Sequence, residues 1–277
     1  MSVSVLILTL NEEVNLPRCL KSLGFSDDVV VLDSFSTDAT CQIARDAGAR
    51  VVQRTFDDWS SHQNWAVEHI DFKNRWVFYI DADEVADAEL GAELLAMAAS
   101  KGPEVACRMR RKEMLWGRWL KYSSMYPVWL MRAFVPACIR WERLVHPHAR
   151  VSGPIGTLKG HIIHHSFSKG LEPWIEKHID YARLEAIEAM HILQTHESDV
   201  VGLFTIHDPV RRRKALKLFA WRIPFRPLSR FLYMYLLRAG FLDGRAGYCY
   251  CRLISTYQYM IDCGIRELRQ RAAGRPL

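Results

Sequence analysis

Three short polar clusters carry residue types that can do chemistry. Asp81-Ala82-Asp83 sets two carboxylates one residue apart, just past the apolar run Trp76–Ile80. Carboxylates so placed at a strand end can share a divalent cation. Oxygen donors suit Mg²⁺ or Mn²⁺, whose remaining positions go to phosphate oxygens. On a diphosphate, such an ion neutralises charge gathering on a leaving group. The same spacing also suits a solvated acidic turn that caps the next helix. The second cluster, Asp33-Ser34-Phe35-Ser36-Thr37-Asp38, combines carboxylates and hydroxyls. Asp33 can accept hydrogen bonds from a base or ribose, whereas Ser36 and Thr37 suit capping of the following helix. The third, Thr9, Asn11 and Glu12, ends the run Val3–Thr9, and Gln63-Asn64 adds two amides that face either a nucleotide or solvent.

These clusters gain meaning from the elements before them. Val3–Thr9, Asp28–Leu32, Ala49–Gln53 and Trp76–Ile80 read as strands; Glu13–Leu23, Thr37–Ala47, Ser60–His69 and Asp87–Ser100 read as helices. Continuous apolar strands alternating with helices predict a mostly parallel sheet covered on both faces, an α/β fold. Ligands of such sheets bind beyond the carboxyl ends of the strands, where all three clusters fall. After Pro103 the texture turns to Trp, Arg and His in short elements, and Glu172–Gln194 then repeats Ile and Ala at helical spacing. There is no internal repeat.

Composition narrows the class. The 277 residues are 49% apolar and 25% charged, an ordinary globular balance. Seven scattered cysteines without a C-x-x-C predict free thiols in a reducing compartment. No basic stretch precedes the first apolar run, and no 18-residue uncharged run exists, so neither a signal peptide nor a membrane span is expected. Neither Gly-rich nucleotide loop occurs, which removes dehydrogenase and kinase readings. Asp81-Ala82-Asp83-Glu84-Val85 also fits the nucleophile loop of an aspartyl-phosphate phosphatase, but no later acidic pair supports it.

Four motifs in order resemble the inverting family 2 glycosyltransferases: Leu8-Thr9-Leu10-Asn11-Glu12, Val31 to Asp38, Gln63-Asn64-Trp65-Ala66 and Asp81-Ala82-Asp83-Glu84. Gly117-Arg118-Trp119, Tyr126-Pro127, Trp141 to His146 and Phe241-Leu242-Asp243-Gly244 resemble the bacterial branch that builds lipopolysaccharide cores and related surface glycans. The resemblance implies a GT-A fold, a nucleotide-diphosphate sugar donor (a UDP-sugar by analogy), Mn²⁺ or Mg²⁺, and single displacement with inversion. Carried over by position, Thr9, Asn11, Glu12, Asp33, Gln63 and Asn64 would lie along the nucleotide. Asp81 would face the ribose and metal, with Ala82 beside it, and Asp83 would be the principal metal ligand. Glu142 is the candidate general base, or else an ion-pair partner of Arg140 or Arg143. Relatives often carry an acid directly after the His of the Val-His step, where this chain has Pro147. That departure keeps open a non-catalytic membrane-associated protein of the same fold. Among His146, His148, His164 and His165, His146 is favoured to complete the metal shell. Arg108, Arg110, Arg111 and Lys112 are either phosphate-neutralising or a solvated strand face.

Charge is unevenly placed. From Asp208 onward there are 15 basic and 4 acidic residues, net +11; the preceding 207 carry 22 and 27, net −5. Arg211 to Lys214, Lys217, Arg222, Arg226 and Arg230 interleave with Phe219, Trp221, Phe225 and Phe231. This mixture suits the headgroup layer of an anionic bilayer. It also suits single-stranded nucleic acid, but the acidic body and the lack of a nucleic-acid module argue against that partner. The expected organisation is a donor-binding half over 1–100, an acceptor-side half over 101–207 and a helical, membrane-peripheral extension over 208–277. The expected acceptor is a lipid-linked or lipopolysaccharide-core glycan at the cytoplasmic face of the inner membrane.

Overall fold

The apolar runs of the first hundred residues form parallel strands in a computed structural model that describes residues 2–142, 148–195 and 225–276. β1 (Ser4–Thr9), β2 (Asp28–Asp33), β3 (Arg50–Gln53) and β4 (Val77–Asp81) stand in the order β3-β2-β1-β4. β1 is buried along its whole length, which is why it reads as a continuous apolar run. α1 (Leu16–Lys21), α2 (Thr40–Asp46) and α3 (Trp59–His69) make the crossovers. The chain leaves β1 on one side for β2 and comes back on the other for β4, so a crevice opens at their carboxyl ends. Thr9, Asp33 and Asp81 are the last residues of these three strands.

Beyond β4 the sheet becomes mixed. β8 (Val128–Phe134) runs antiparallel to β4, and β6 (Ala106–Leu115) antiparallel to β8. β11 (Ile155–His164) is parallel to β6, and β5 (Glu84–Ala86) closes the far edge antiparallel to β11. β7 (Arg118–Trp119) pairs with the end of β6, and β9 (Ile139–Glu142) forms a separate ribbon with β10 (His148–Val151). Ile7, Phe78, Ile80, Met109 and Ile162 fill one face together with Leu90 and Leu94 of α4 (Ala88–Ala99). Leu6, Leu8, Leu32, Tyr79 and Phe134 fill the other with Trp141. α4 approaches β11 so closely at Gly160 that an added Cβ would stand 2.4 Å from Leu90 Cα.

The chain divides into two compact units, Met1–Lys121 with Met125–Lys169, and Tyr122–Ser124 with Gly170–Leu277. In the second, α5 (Leu171–Thr195) packs Ala182, Ala186 and Ala189 against Ile261 and Ile265 of α7 (Gly244–Ala272). α6 (Arg226–Leu232) continues into a π turn over Tyr233–Leu237 and a 3₁₀ turn over Gly240–Asp243. One buried oxygen of Asp243 accepts from Tyr122 N (2.9 Å), Ser123 N (2.8 Å) and the Ser123 hydroxyl (2.7 Å). Among the described residues no helix is long and apolar enough to cross a membrane.

Candidate functional site

At the ends of β1 and β2 the polar clusters are stitched to each other. Asp33 is fully buried, and its carboxylate accepts from the Thr9 hydroxyl (2.9 Å), Ser36 N (2.9 Å), Gln53 Nε2 (3.1 Å) and the Ser36 hydroxyl. Burial pushes this carboxyl up, but the donors from Ser36 and Gln53 outweigh it and hold it below the usual range. Asn11 takes a left-handed backbone at φ 54°, and its Oδ1 accepts from Thr37 N at 2.8 Å. Phe35, also left-handed at φ 60°, turns the facing loop. Non-glycine residues in this conformation need support from their surroundings, and two of them face each other here. Glu12 accepts from Lys169 Nζ at 2.6 Å and from Asn15 Nδ2 at 2.8 Å. Thr9 and Asp33 thus shape the floor of the crevice, while Asn11 stays exposed at its rim.

Asp81 and Asp83 meet different partners. Asp81 accepts from Arg132 Nη2 at 2.6 Å and from the Tyr79 hydroxyl. Arg132 also reaches Glu84 at 3.2 Å and lies over the Tyr79 ring, 4.1 Å from its centroid. Burial raises the Asp81 carboxyl, yet the guanidinium beside it wins and keeps it ionised. Asp83 Oδ2 lies 3.3 Å from His164 Nε2, and the other ring nitrogen of His164 lies 2.8 Å from Glu113. Burial lowers the imidazole, but Glu113 and Asp83 overcome it and raise its pKa to about 10. The two carboxylates thus favour the protonated ring, which must lose a proton before Nε2 can ligate an ion.

Asp83 and His164 offer two donor atoms of types that a divalent ion takes. Two ligand atoms on adjacent positions of an octahedral ion, each at about 2.1 Å, stand about 3 Å apart. Asp83 Oδ2 and His164 Nε2, at 3.3 Å, are already near that separation. Neither His164 nor Arg132 was singled out as the partner of these aspartates from sequence. His146, the favoured histidine, falls outside the described residues, and His165 donates its backbone N–H to Asp83 O at 2.9 Å. A second grouping that could hold a metal, Asp87, Glu89 and His161, brings its ligand atoms within 4.8 Å of one another. It sits at the N-terminus of α4, with Lys112 4.0 Å from Asp87, and both features oppose a cation.

The remaining expected residues separate. Gln63 is buried with its Oε1 lacking a hydrogen-bond partner among the described residues. Asn64 instead spends its amide on β9, donating to Trp141 O at 2.9 Å and accepting from Trp141 N at 2.8 Å. Glu142, half exposed on the ribbon, pairs with Arg150 at 2.7 Å, while Arg140 goes to Glu68 at 3.3 Å. Ala82 is buried between its two aspartates.

The sequence pattern of glycosyl transferase family 2 matches residues 4–153. The chain belongs to that family. A glycosyltransferase of Rickettsia bellii whose role is uncharacterised is 37% identical over 103 residues, 37% of this chain and 34% of that protein. The lipopolysaccharide core biosynthesis glycosyltransferase LpsC of Rhizobium meliloti is 32% identical over 120 residues, 42% of this chain and 44% of that protein. The matched segment thus spans between a third and a half of these family 2 relatives. Among solved structures, residues 1–349 of S. aureus TarS align over 95% of this chain and 92% of theirs, at 17% identity and a TM-score of 0.42. Glucosyl-3-phosphoglycerate synthase of Mycobacterium tuberculosis, solved with Mn²⁺ and UDP, aligns over 41% of this chain and 44% of its own, at 23% identity and a TM-score of 0.32.

Proposed function

We propose that the chain is an inverting glycosyltransferase that moves a hexose-type sugar from a nucleotide diphosphate, a UDP-sugar in the first instance, to a lipid-linked or lipopolysaccharide-core glycan. The observation that carries this reading is the Asp83–His164 pair, where the turn after β4 meets the end of β11. Asp83 and His164 would hold Mn²⁺ or Mg²⁺, with Asp81 facing it from the Arg132 side. A bound ion there supplies neutralisation of the diphosphate as it departs. Thr9 and Asp33 hold the strand ends that receive the nucleoside, Asn11 and Glu12 line the rim, and Gln63 offers its unpaired carbonyl to a donor N–H. Asn64 supports the site from behind by fixing β9, the strand that carries Glu142.

In the displacement, an acceptor oxygen bonds to the anomeric carbon while the bond from that carbon to the diphosphate oxygen breaks. The electron pair leaves with the nucleotide diphosphate. Glu142 takes the acceptor proton, which requires the carboxylate to turn from Arg150 to the incoming hydroxyl.

The second unit supports work at a membrane surface. Leu228, Leu232, Leu236, Leu237, Phe241 and Leu242 are all exposed, Leu237 by 80%. From Phe225 to Ile261 there are five arginines and one acid, the buried Asp243. Exposed apolar side chains amid an excess of arginines suit the cytoplasmic face of an anionic bilayer. The more basic stretch 211–222 lies outside the described residues. Turnover of a panel of sugar nucleotides with Mn²⁺, comparing wild type with Asp83→Ala, tests the activity. The expected loss in the variant is at least about 100-fold, the scale on which charge stabilisation at a leaving group acts; full turnover would contradict the metal site.

A further inference from the structure

Arg108, Arg110 and Lys112 alternate along β6, so the pleat turns them to one face, while Arg111 turns to the other and lies 3.6 Å from Glu113. Across the ladder, β8 sets Trp129 directly opposite Arg110. The guanidinium carbons of Arg108 and Arg110 stand 5.1 Å and 5.7 Å from the centroid of its ring. Lys112 and Lys121 approach the Trp119 ring in the same way, at 5.2 Å and 5.7 Å. Trp119 meets Tyr126 edge-on at 5.1 Å, and the Tyr126 hydroxyl lies 3.0 Å from His161 Nε2, on β11 beside Arg110. One band of cations held on aromatic rings therefore runs across β6, β7, β8 and β11.

The band is short of negative charge. Between Val105 and Phe134 the chain has a single acid, Glu113, buried on the opposite face. Asp87 Oδ2 lies 4.0 Å from Lys112. Arg108, Lys121 and Trp129 are exposed, Trp129 by 41%. Arg110 Nε and Trp119 Nε1 have no hydrogen-bond partner among the described residues. An unpaired buried donor costs roughly 1–3 kcal/mol, so a ligand oxygen that pairs with it recovers that cost. Like charges fixed side by side repel until an anion arrives. Aromatic rings pack against the C–H faces of sugar rings, and guanidinium groups fork onto phosphate or carboxylate oxygens. Rings and cations interleaved on a strand face thus suit a saccharide that carries anionic groups. The exposed aliphatic side chains that a bilayer takes up lie on the second unit instead.

The band shares its strands with the aspartate cluster. Lys112 is followed on β6 by Glu113, which holds His164, and Trp129 precedes Arg132 on β8 by three residues. Resting on glycosyl transfer as the chain's reaction, we propose that this face, on the side of β6 opposite Glu113, is a saccharide site remote from the reacting hydroxyl and that it takes a phosphate- or carboxylate-bearing stretch of the glycan.

Isothermal titration of the full chain with maltopentaose 6-phosphate and with unphosphorylated maltopentaose tests it. The phosphorylated sugar is expected to bind at least about tenfold more tightly, an advantage that shrinks as salt rises. Arg108→Gln with Arg110→Gln brings it down to the neutral sugar, and Arg108→Gln alone brings it part of the way. Thermal unfolding checks that both variants fold; if the double variant does not, the single one decides. Equal affinity for the two sugars, or an advantage untouched by the substitutions, overturns the proposal. So does a substitution that abolishes binding to phosphatidylglycerol vesicles but spares the phosphosugar, since that assigns the face to the bilayer. UDP binding with Mn²⁺ is measured in parallel. A chain that prefers the phosphosugar yet binds no UDP keeps the anionic-sugar site and loses glycosyl transfer.

Discussion

Asp81 and Asp83 stand one residue apart and yet differ in what surrounds them. Asp81 has Arg132 at 2.6 Å and Tyr79 on its other oxygen, whereas Asp83 faces an imidazole at 3.3 Å. Arg132 is buried and serves Asp81 and Glu84 together, so removing it leaves two carboxylates crowded without a counter-ion. Breaking a buried ion pair from one side costs about 3–5 kcal/mol. Arg132→Met is therefore expected to lower unfolding free energy by that order in urea titrations, and Arg132→Lys by less, because lysine keeps the charge but not the fork. A variant as stable as wild type would show that the guanidinium is dispensable to the cluster. Motif spacing marked the two aspartates but not this difference between them. Arg132 is 51 residues from Asp81 and His164 is 81 from Asp83, so only the strand order brings them together.

At the scale of elements, the parallel half was readable because β1, β2 and β4 are buried on both faces and read as apolar runs, with only the edge strand β3 half exposed. The far half was not. β8 enters the sheet between β4 and β6, and β11 lies beside β6 across a register shift, pairings that local patterning does not encode. The amides of Gln63-Asn64 show the same limit. Both look available to a nucleotide in sequence, but one is spent on Trp141, 77 residues away. Gly160 marks where α4 and β11 touch, with Leu90 Cα in the place of any side chain. Backbone cannot yield there as a flexible side chain would. Gly160→Ala should cost roughly 1–3 kcal/mol through forced separation of the two elements, read as a lower thermal midpoint. An unchanged midpoint would mean that helix and strand are not in close contact.

For the whole molecule, a unit carrying the family 2 pattern and a helical unit rich in exposed leucines and arginines belong to one chain. Flotation with phosphatidylglycerol vesicles should carry the wild-type chain upward at low salt and release it as salt rises, because headgroup attraction is screened within a Debye length. Leu236→Ser with Leu237→Ser should weaken flotation about tenfold or more, each leucine contributing ~1.5–3 kcal/mol when fully buried. Flotation unaffected by both salt and these substitutions would assign the unit another role. Whether Asp83 and His164 grip a cation beside a diphosphate is decided by electron paramagnetic resonance of Mn²⁺ titrated with the full chain and UDP. The free-ion signal should fall to about one Mn²⁺ bound per chain, and Asp83→Asn should restore it; a signal that wild type and variant quench equally would place the ion elsewhere.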